Sequence, residues 1–67
     1  MNVPLKAGDR VRLIDPDEAI MWFVPEHLCV KGTCGTVIAI SLNPWVQLDN
    51  AHCPFYLPAK SLQKVRQ

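Results

Sequence analysis

The 67-residue chain has no long apolar run, no signal-peptide pattern and few charges of either sign. No segment approaches the roughly 18 apolar residues that cross a bilayer, and the opening "MNVPLKAGDR" lacks the apolar stretch of a secretory leader. Its three cysteines are an odd number, whereas small secreted domains more often carry an even set of bridged cysteines. We therefore expect a cytoplasmic protein with reduced thiols and no membrane segment.

The charge balance makes nucleic acid an unlikely partner. Seven Lys and Arg against six Asp and Glu give a formal net charge of +1, and no basic run is present to neutralise a phosphate backbone. Charged residues make up 19% of the chain and hydrophobic ones 49%, which leaves a lone small domain short of solubilising charge. A domain this small buries only about 60% of its unfolded surface. A protein partner or a homo-oligomer is therefore expected to stabilise it.

Period-two alternation and β-branched residues predict an all-β fold, with residues 1–67 as a single domain. In "GDRVRLI", Val11 and Leu13 alternate with two arginines, which is typical of a half-buried strand. Further strands are predicted in "GTVIAIS", "WVQLDN" and "PFYL". The stretch "PAKSLQKV" predicts one 3-10 or α-helical turn before a last strand fragment. Residues 15–32 have no clear period and are expected to form a long, partly ordered loop.

Short strands separated by frequent turns favour a small five-stranded SH3-like barrel with a long first loop, because closure removes the exposed edges of a small flat sheet. The predicted core consists of the inward-facing apolar residues of these elements, which are Val11, Leu13, Val37, Ala39, Val46, Leu48, Phe55, Leu57, Leu62 and Val65.

Several motifs resemble a group of SH3-like barrels described as electron-transport accessory proteins. "KAGDRVRLIDP", "PEHL" and "KGTCGTV" resemble the barrel domain of nitrile hydratase β subunits, and "GDRVR" with "YLPAKSLQKV" resembles type II dihydrofolate reductases. The layout is also similar to the small barrel protein of photosystem I and to the variable chain of ferredoxin-thioredoxin reductase. The resemblance implies an SH3-like barrel and, from its accessory members, a non-enzymatic interaction module.

The type II reductases imply an alternative function, an oligomer that binds a small-molecule ligand in a shared pore. Their pore is lined by a Gln and a Tyr in the strand before the final proline, where this chain has Phe55 and Leu57. The resemblance therefore carries over no catalytic residue and no cofactor. Signalling SH3 domains are similar around "LPAKSLQKV" and Trp45, but their groove tyrosine corresponds to Ser61 here, so a groove for proline-rich peptides is incomplete.

The segment "HLCVKGTCGTV", followed later by an adjacent His-Cys pair, raises the alternative of a zinc site. Cys29 and Cys34 have a spacing close to that of zinc ligands, and His27, His52 and Cys53 could complete the set. His52 and Cys53 are adjacent, so in extended backbone their side chains point to opposite faces and only one could join. We expect inert thiols and no bound metal, with the two glycines of the segment serving a turn and a close backbone approach.

The apolar run "AIMWFV" is too long to be wholly interior in a domain whose strands already fill the core. It either folds back as a lid over one end of the barrel or forms an interface. Met21, Trp22 and Phe23 are the expected anchors for a protein partner or a second copy, since aromatic residues are enriched in interfaces. Trp45 and Tyr56 are expected to point outward and to extend the same surface.

Overall fold

Five short strands form one antiparallel sheet in the computed structural model, which describes residues 4–65. In chain order the strands are β1 (Arg10–Leu13), β2 (Cys34–Ser41), β3 (Asn43–Leu48), β4 (Phe55–Tyr56) and β5 (Leu62–Lys64). Their order across the sheet is β4-β3-β2-β1-β5. The predicted all-β class and the number of strands are confirmed. Closure of the two edge strands into a barrel stays a prediction.

Buried and exposed side chains alternate along the strands, so one face of the sheet forms the core. The fully buried side chains follow the period-two pattern read from the sequence, because successive residues of a strand point to opposite faces. The core confirms seven predicted positions, which are Val11, Leu13, Val37, Val46, Leu48, Leu57 and Leu62. Two further predicted positions, Phe55 and Val65, are half-buried.

The prediction that Ala39 lies in the core is wrong, because β2 contains a β-bulge. Val37 pairs with Val46, but the next pair joins Ala39 to Trp45, so Ile38 is an extra residue without a partner in β3. An inserted residue reverses the face on which every later side chain of the strand lies. Ala39 is therefore exposed on the outer face of the sheet, beside Trp45.

The connection between β1 and β2, residues 14–33, is called the first segment below. It was expected to be a partly ordered loop, but it contains the helix α1 (Pro16–Met21) and a 3-10 turn (Glu26–Leu28). An Asp15 side-chain oxygen accepts a hydrogen bond from the Glu18 N–H at 3.2 Å and so caps the helix. The first helical residue is a proline, whose fixed φ suits that position. Residues that resemble turn signals in the sequence therefore start a helix.

The first segment supplies part of the core. Ala19, Val24 and Leu28 are buried, with exposures of 0%, 3% and 7%, and they pack with the core residues of the sheet. None of them was in the predicted core, which was drawn from strands alone. The apolar run is thus divided, with two of its residues turned inward and others left in solvent.

The two glycines of the cysteine segment have the predicted architectural roles. Gly32 has a φ of +93° at the turn before β2, a conformation that side chains with a β-carbon rarely adopt. A β-carbon on Gly35 would lie 2.8 Å from both the Gln47 carbonyl oxygen and Val46 Cγ1. The β2–β3 pair can therefore approach closely only with glycine at this position.

A second 3-10 turn (Ala59–Ser61) precedes β5, as predicted. Ser61 is fully buried, and its hydroxyl donates a hydrogen bond to the Pro58 carbonyl oxygen at 2.7 Å. Across residues 4–65, no helix has the length and apolar character needed to span a membrane.

Candidate interaction surface

Three aromatic side chains from separate elements meet on the outer face of the sheet. Trp45 in β3 and Tyr56 in β4 are register partners, and their ring centroids lie 5.0 Å apart. Trp22, which follows α1, also contacts Tyr56, with ring centroids 5.5 Å apart. Both distances fall in the range of favourable aromatic pairs. We call Trp22, Tyr56 and Trp45 the aromatic row.

The position of each ring follows from the residues around it. Val46 is buried next to Trp45, so the strand period turns Trp45 outward as predicted, on the side of β3 where Asn43 and Gln47 are half-buried. Ala19 is the buried residue of α1. Trp22 follows it by three residues, which is about one helical turn, so both lie on the same side of the helix. Lys60 Nζ lies 3.2 Å from Glu18 Oε1, which joins α1 to the second 3-10 turn.

The hydroxyl group of Tyr56 ties the aromatic row to the β2–β3 turn. It donates a hydrogen bond to the Ser41 carbonyl oxygen, and it accepts one from the Asn43 N–H at 3.1 Å. These two residues flank Leu42, so the Tyr56 hydroxyl bonds to the backbone on both sides of it. A side chain in β4 thus fixes the tip of the neighbouring hairpin.

Two large apolar side chains project into solvent from left-handed backbone. Within residues 4–65, Phe23 (φ 68°) and Leu42 (φ 64°) are the non-glycine residues with positive φ, and their exposures are 92% and 99%. Such backbone costs about 1–2 kcal/mol for a residue with a β-carbon. Because these side chains are exposed, they make no packing contacts among the described residues that would offset this cost. Backbone strain of this kind is concentrated at functional sites.

The structure brings together most of the residues that the sequence singled out as anchors. Trp22, Trp45 and Tyr56 are in contact, and Phe23 and Met21 are exposed beside Trp22. Their role in binding a partner stays a prediction.

Leu42 was missed by the sequence analysis. Its neighbours Ser41, Asn43 and Pro44 are turn-forming residues between two strand patterns, and this was the signal that could have identified it as the tip of a hairpin.

The first segment is the acidic part of this surface. From residue 15 to residue 26 it carries four carboxylates and no Lys or Arg. Glu18 is paired with Lys60, and Asp15 caps α1, whereas Asp17 and Glu26 are exposed. The segment therefore combines exposed apolar side chains with a negative border.

The weak metal candidates are not gathered into a site. Across the part of the chain that the structure describes, no three side chains of His, Cys, Asp or Glu are arranged to hold a metal ion. His27, His52 and Cys53 are exposed. The Cys29 thiol lies 3.5 Å from the Val24 carbonyl oxygen, and the Cys34 thiol lies 3.6 Å from that of Gly32.

The three cysteines are free thiols. Partial burial raises the pKa of the Cys29 thiol above its usual value, and the negative charge of Glu26 raises it further. A raised pKa lowers the fraction of the reactive thiolate at neutral pH. Cys29 is accordingly suited to a packing role and poorly suited to nucleophilic chemistry.

The outer face of β1 and β2 differs from the aromatic row because it is polar. Arg10 makes two hydrogen bonds to Asp49, at 2.7 and 2.9 Å, and a third to the Thr36 hydroxyl at 2.9 Å. The bonded guanidinium holds the pKa of the Asp49 carboxyl below its usual value. The Arg10 guanidinium therefore already has hydrogen-bond partners within the chain. The exposed apolar side chains around the aromatic row, by contrast, have no comparable cover within residues 4–65.

Two functions considered from the resemblance find little support in the geometry. Leu57, which stands where the type II reductases have a pore-lining polar residue, is fully buried within the chain, and Phe55 is half-buried opposite Val46. Ser61, which stands where signalling SH3 domains have a groove tyrosine, is also buried. Neither Leu57 nor Ser61 can contact a ligand from these positions.

Comparisons with protein-family models, with curated proteins and with solved structures returned no match. The similarity to the electron-transport accessory group therefore stays a prediction from short motifs. The features that bear on function are those of the first segment and the aromatic row.

Proposed function

We propose that the chain is a small non-enzymatic interaction module that binds a protein partner, or a second copy of itself, through the first segment and the aromatic row. The observation that carries the proposal is the contact of Trp22, Tyr56 and Trp45 beside Phe23, which is 92% exposed on left-handed backbone. Strained backbone that holds an aromatic side chain in solvent is a poor solution for stability and a suitable one for binding.

The residue types on this surface support the proposal. Aromatic side chains and Met are enriched at interfaces, and aromatic rings such as that of Trp bury a large area with little loss of side-chain entropy. Phe23 and Met21 are the exposed members beside the half-buried Trp22. Truncating a central aromatic anchor typically costs about 2 kcal/mol of binding energy or more, which corresponds to a dissociation constant raised by about thirtyfold.

The proposal is tested by placing a photo-crosslinking amino acid at position 23 in the source cells and identifying what becomes attached. A second probe at Val30, which is apolar, 55% exposed and in the same segment, serves as the matched control. We expect a defined crosslinked species from position 23 and not from position 30. Light scattering after size-exclusion chromatography then distinguishes a second copy from a different protein.

The double variant Trp22→Ala with Phe23→Ala should lose that species while keeping a folded spectrum. Phe23→Ala alone provides a version that leaves the half-buried Trp22 in place. If the double variant keeps the parent's mass and its crosslinked partners, the first segment is only a lid over the core and the proposal fails.

A further inference from the structure

The β2–β3 hairpin extends beyond the strand that covers the other edge of β2. The last β1 pair joins Arg10 to Thr36, and Val37 completes the contact by hydrogen bonds to Asp9 and Gly8 at 2.9 and 2.7 Å. From Ile38 onward, the ladder partners of β2 within residues 4–65 all lie in β3. We call residues 38–44 the hairpin arm. One backbone edge of this arm carries no neighbouring strand among the described residues.

The hydrogen-bonding groups of Ile40 point to that open edge. Leu57 donates its N–H to the Pro44 carbonyl oxygen at 3.1 Å, so the backbone of Pro44 faces β4. Ile40 is paired with Pro44, and in an antiparallel ladder both members of such a pair turn their N–H and C=O groups outward. Within residues 4–65, neither of these groups of Ile40 has a hydrogen-bond partner outside the β2–β3 ladder.

Of the usual protections of an exposed edge, the arm has the bulge at Ile38 but no charged residue and no covering strand among residues 4–65. No charged residue occurs from Thr36 to Leu48, and the side chains of Ile38, Ile40 and Leu42 are 48%, 46% and 99% exposed. Natural sheets block such edges with lysine, with proline on the edge itself or with a covering element. An apolar edge without these features is a template for another strand.

We propose that the arm pairs with the arm of a second copy, antiparallel about a two-fold axis at Ile40. In this arrangement the two Ile40 residues exchange their N–H and C=O groups, and the exposed side chains of Ile38 and Leu42 flank the contact. An isologous contact brings identical surfaces together, so a charged surface would repel itself. The uncharged arm does not, whereas the acidic first segment would bring carboxylates against carboxylates.

This pairing is independent of the proposed function. The aromatic row is centred on Tyr56 in β4, which lies two strands away from the open edge of β2. The Tyr56 hydroxyl also bonds to Ser41 and Asn43 of the arm, so the two surfaces are disrupted separately by substituting Trp22 and Phe23 in the first segment or Ile40 in the arm. A result against one of them leaves the other standing.

Amide hydrogen exchange over a dilution series tests the pairing directly. The Ile40 N–H should be protected at high protein concentration and exchange rapidly on dilution, in step with the loss of dimer in sedimentation velocity. The Val37 N–H is the internal control, because its hydrogen bond to Asp9 lies within one chain and should protect it at every concentration. A chain that stays monomeric, or an Ile40 amide with the same exchange rate at all concentrations, overturns the proposal.

The matched variants are Ile40→Lys in the arm and Ile14→Lys outside it. Ile14 is 39% exposed, which is close to the exposure of Ile40. Ile40→Lys should raise the dimer dissociation constant by roughly tenfold or more, because it removes an apolar side chain from each copy and brings two like charges together. Ile14→Lys should leave it unchanged, and protection of the Val37 amide verifies that both variants are folded.

The double variant Trp22→Ala with Phe23→Ala separates the two surfaces. It should keep the dimer if the arm forms the contact. A dimer that survives Ile40→Lys but is lost in this double variant assembles through the first segment, which overturns the inference and supports the proposed function.

Discussion

The first segment and the hairpin arm each hold one large apolar side chain in solvent on left-handed backbone, but different forces hold them. The first segment is fixed by three buried apolar side chains that join the core. In the arm, residues 38–42 are all exposed and the buried side chain is that of Pro44. The arm is fixed by its ladder with β3 and by the Tyr56 hydroxyl, which bonds on both sides of Leu42.

A side chain can thus be kept in solvent in two ways. In the first segment, Ala19, Val24 and Leu28 pack inward, and Phe23 between them is left in solvent. In the arm, directional hydrogen bonds fix the turn and thereby the direction of Leu42. Packing depends on many weak contacts, whereas the arm depends on a few bonds, so the two regions should respond differently to substitution.

The largest expected effect comes from a substitution in the core of the sheet, on which both the first segment and the arm depend. Val46 is fully buried and pairs with Val37 on one side and Phe55 on the other. Val46→Asp would bury an unpaired charge, with a cost above about 4 kcal/mol that approaches the stability of a small domain. Circular dichroism should detect no cooperative melting. Ile38→Asp, at the exposed bulge, is the control and should stay folded; a cooperatively melting Val46→Asp protein would contradict the packing.

The next effect compares a buried and an exposed side chain of the first segment. Leu28→Ala should lower the free energy of unfolding by about 2–5 kcal/mol, because it leaves a cavity where a buried leucine packs. Phe23→Ala should change it by no more than about 0.5 kcal/mol, since that ring is almost wholly exposed. Urea unfolding measures both values. Equal losses would mean that Phe23 packs within the chain.

A smaller effect tests the hydrogen bonds that hold the arm. Tyr56→Phe keeps the ring contacts with Trp22 and Trp45 but removes the hydroxyl that binds Ser41 and Asn43. We expect a loss of about 1 kcal/mol in the free energy of unfolding and faster exchange of the Asn43 amide. The Leu28 region should be unaffected. Unchanged exchange at Asn43 would show that the ladder with β3 suffices to fix the turn.

The smallest effect has the opposite sign. Leu42→Asn should raise the free energy of unfolding by up to about 1 kcal/mol, since asparagine tolerates left-handed backbone better than leucine. Leu42→Ala is the control and should bring no such gain, because alanine lacks the short polar side chain whose local hydrogen bonds let asparagine adopt this backbone. Urea unfolding of the two variants compares them directly. A gain with alanine equal to that with asparagine would mean that exposure of leucine, and not backbone strain, limits stability.

Much of the fold is predictable from the sequence because it depends on local patterns. The alternation around Val11 and Leu13 identifies β1, and the β-branched run after Gly35 identifies β2. The helix α1 was not identified, because Asp15 and Pro16 start turns and helices alike, and six residues are too few to display a helical period. The bulge at Ile38 could not be predicted, since it depends on the pairing of β2 with β3 and not on β2 alone.

The candidate site was predictable in its composition and not in its geometry. Aromatic type and an excess of apolar residues singled out Trp22, Phe23, Trp45 and Tyr56. Their contacts depend on where α1 ends and on the register between β3 and β4, which no single segment encodes. The open edge of the arm also depends on this three-dimensional pairing, because it exists only where β2 continues past β1.

The bulge in β2 has a consequence at the level of the gene. With Ile38 left out, Val37 opposite Val46 and Ala39 opposite Trp45 become consecutive pairs of a regular ladder. Loss of that single codon would leave every other cross-strand pair of the hairpin as it is, and would remove the bend and extra twist that a bulge introduces. The codon for Ile38 therefore affects the direction of the arm without affecting which residues of β2 and β3 pair.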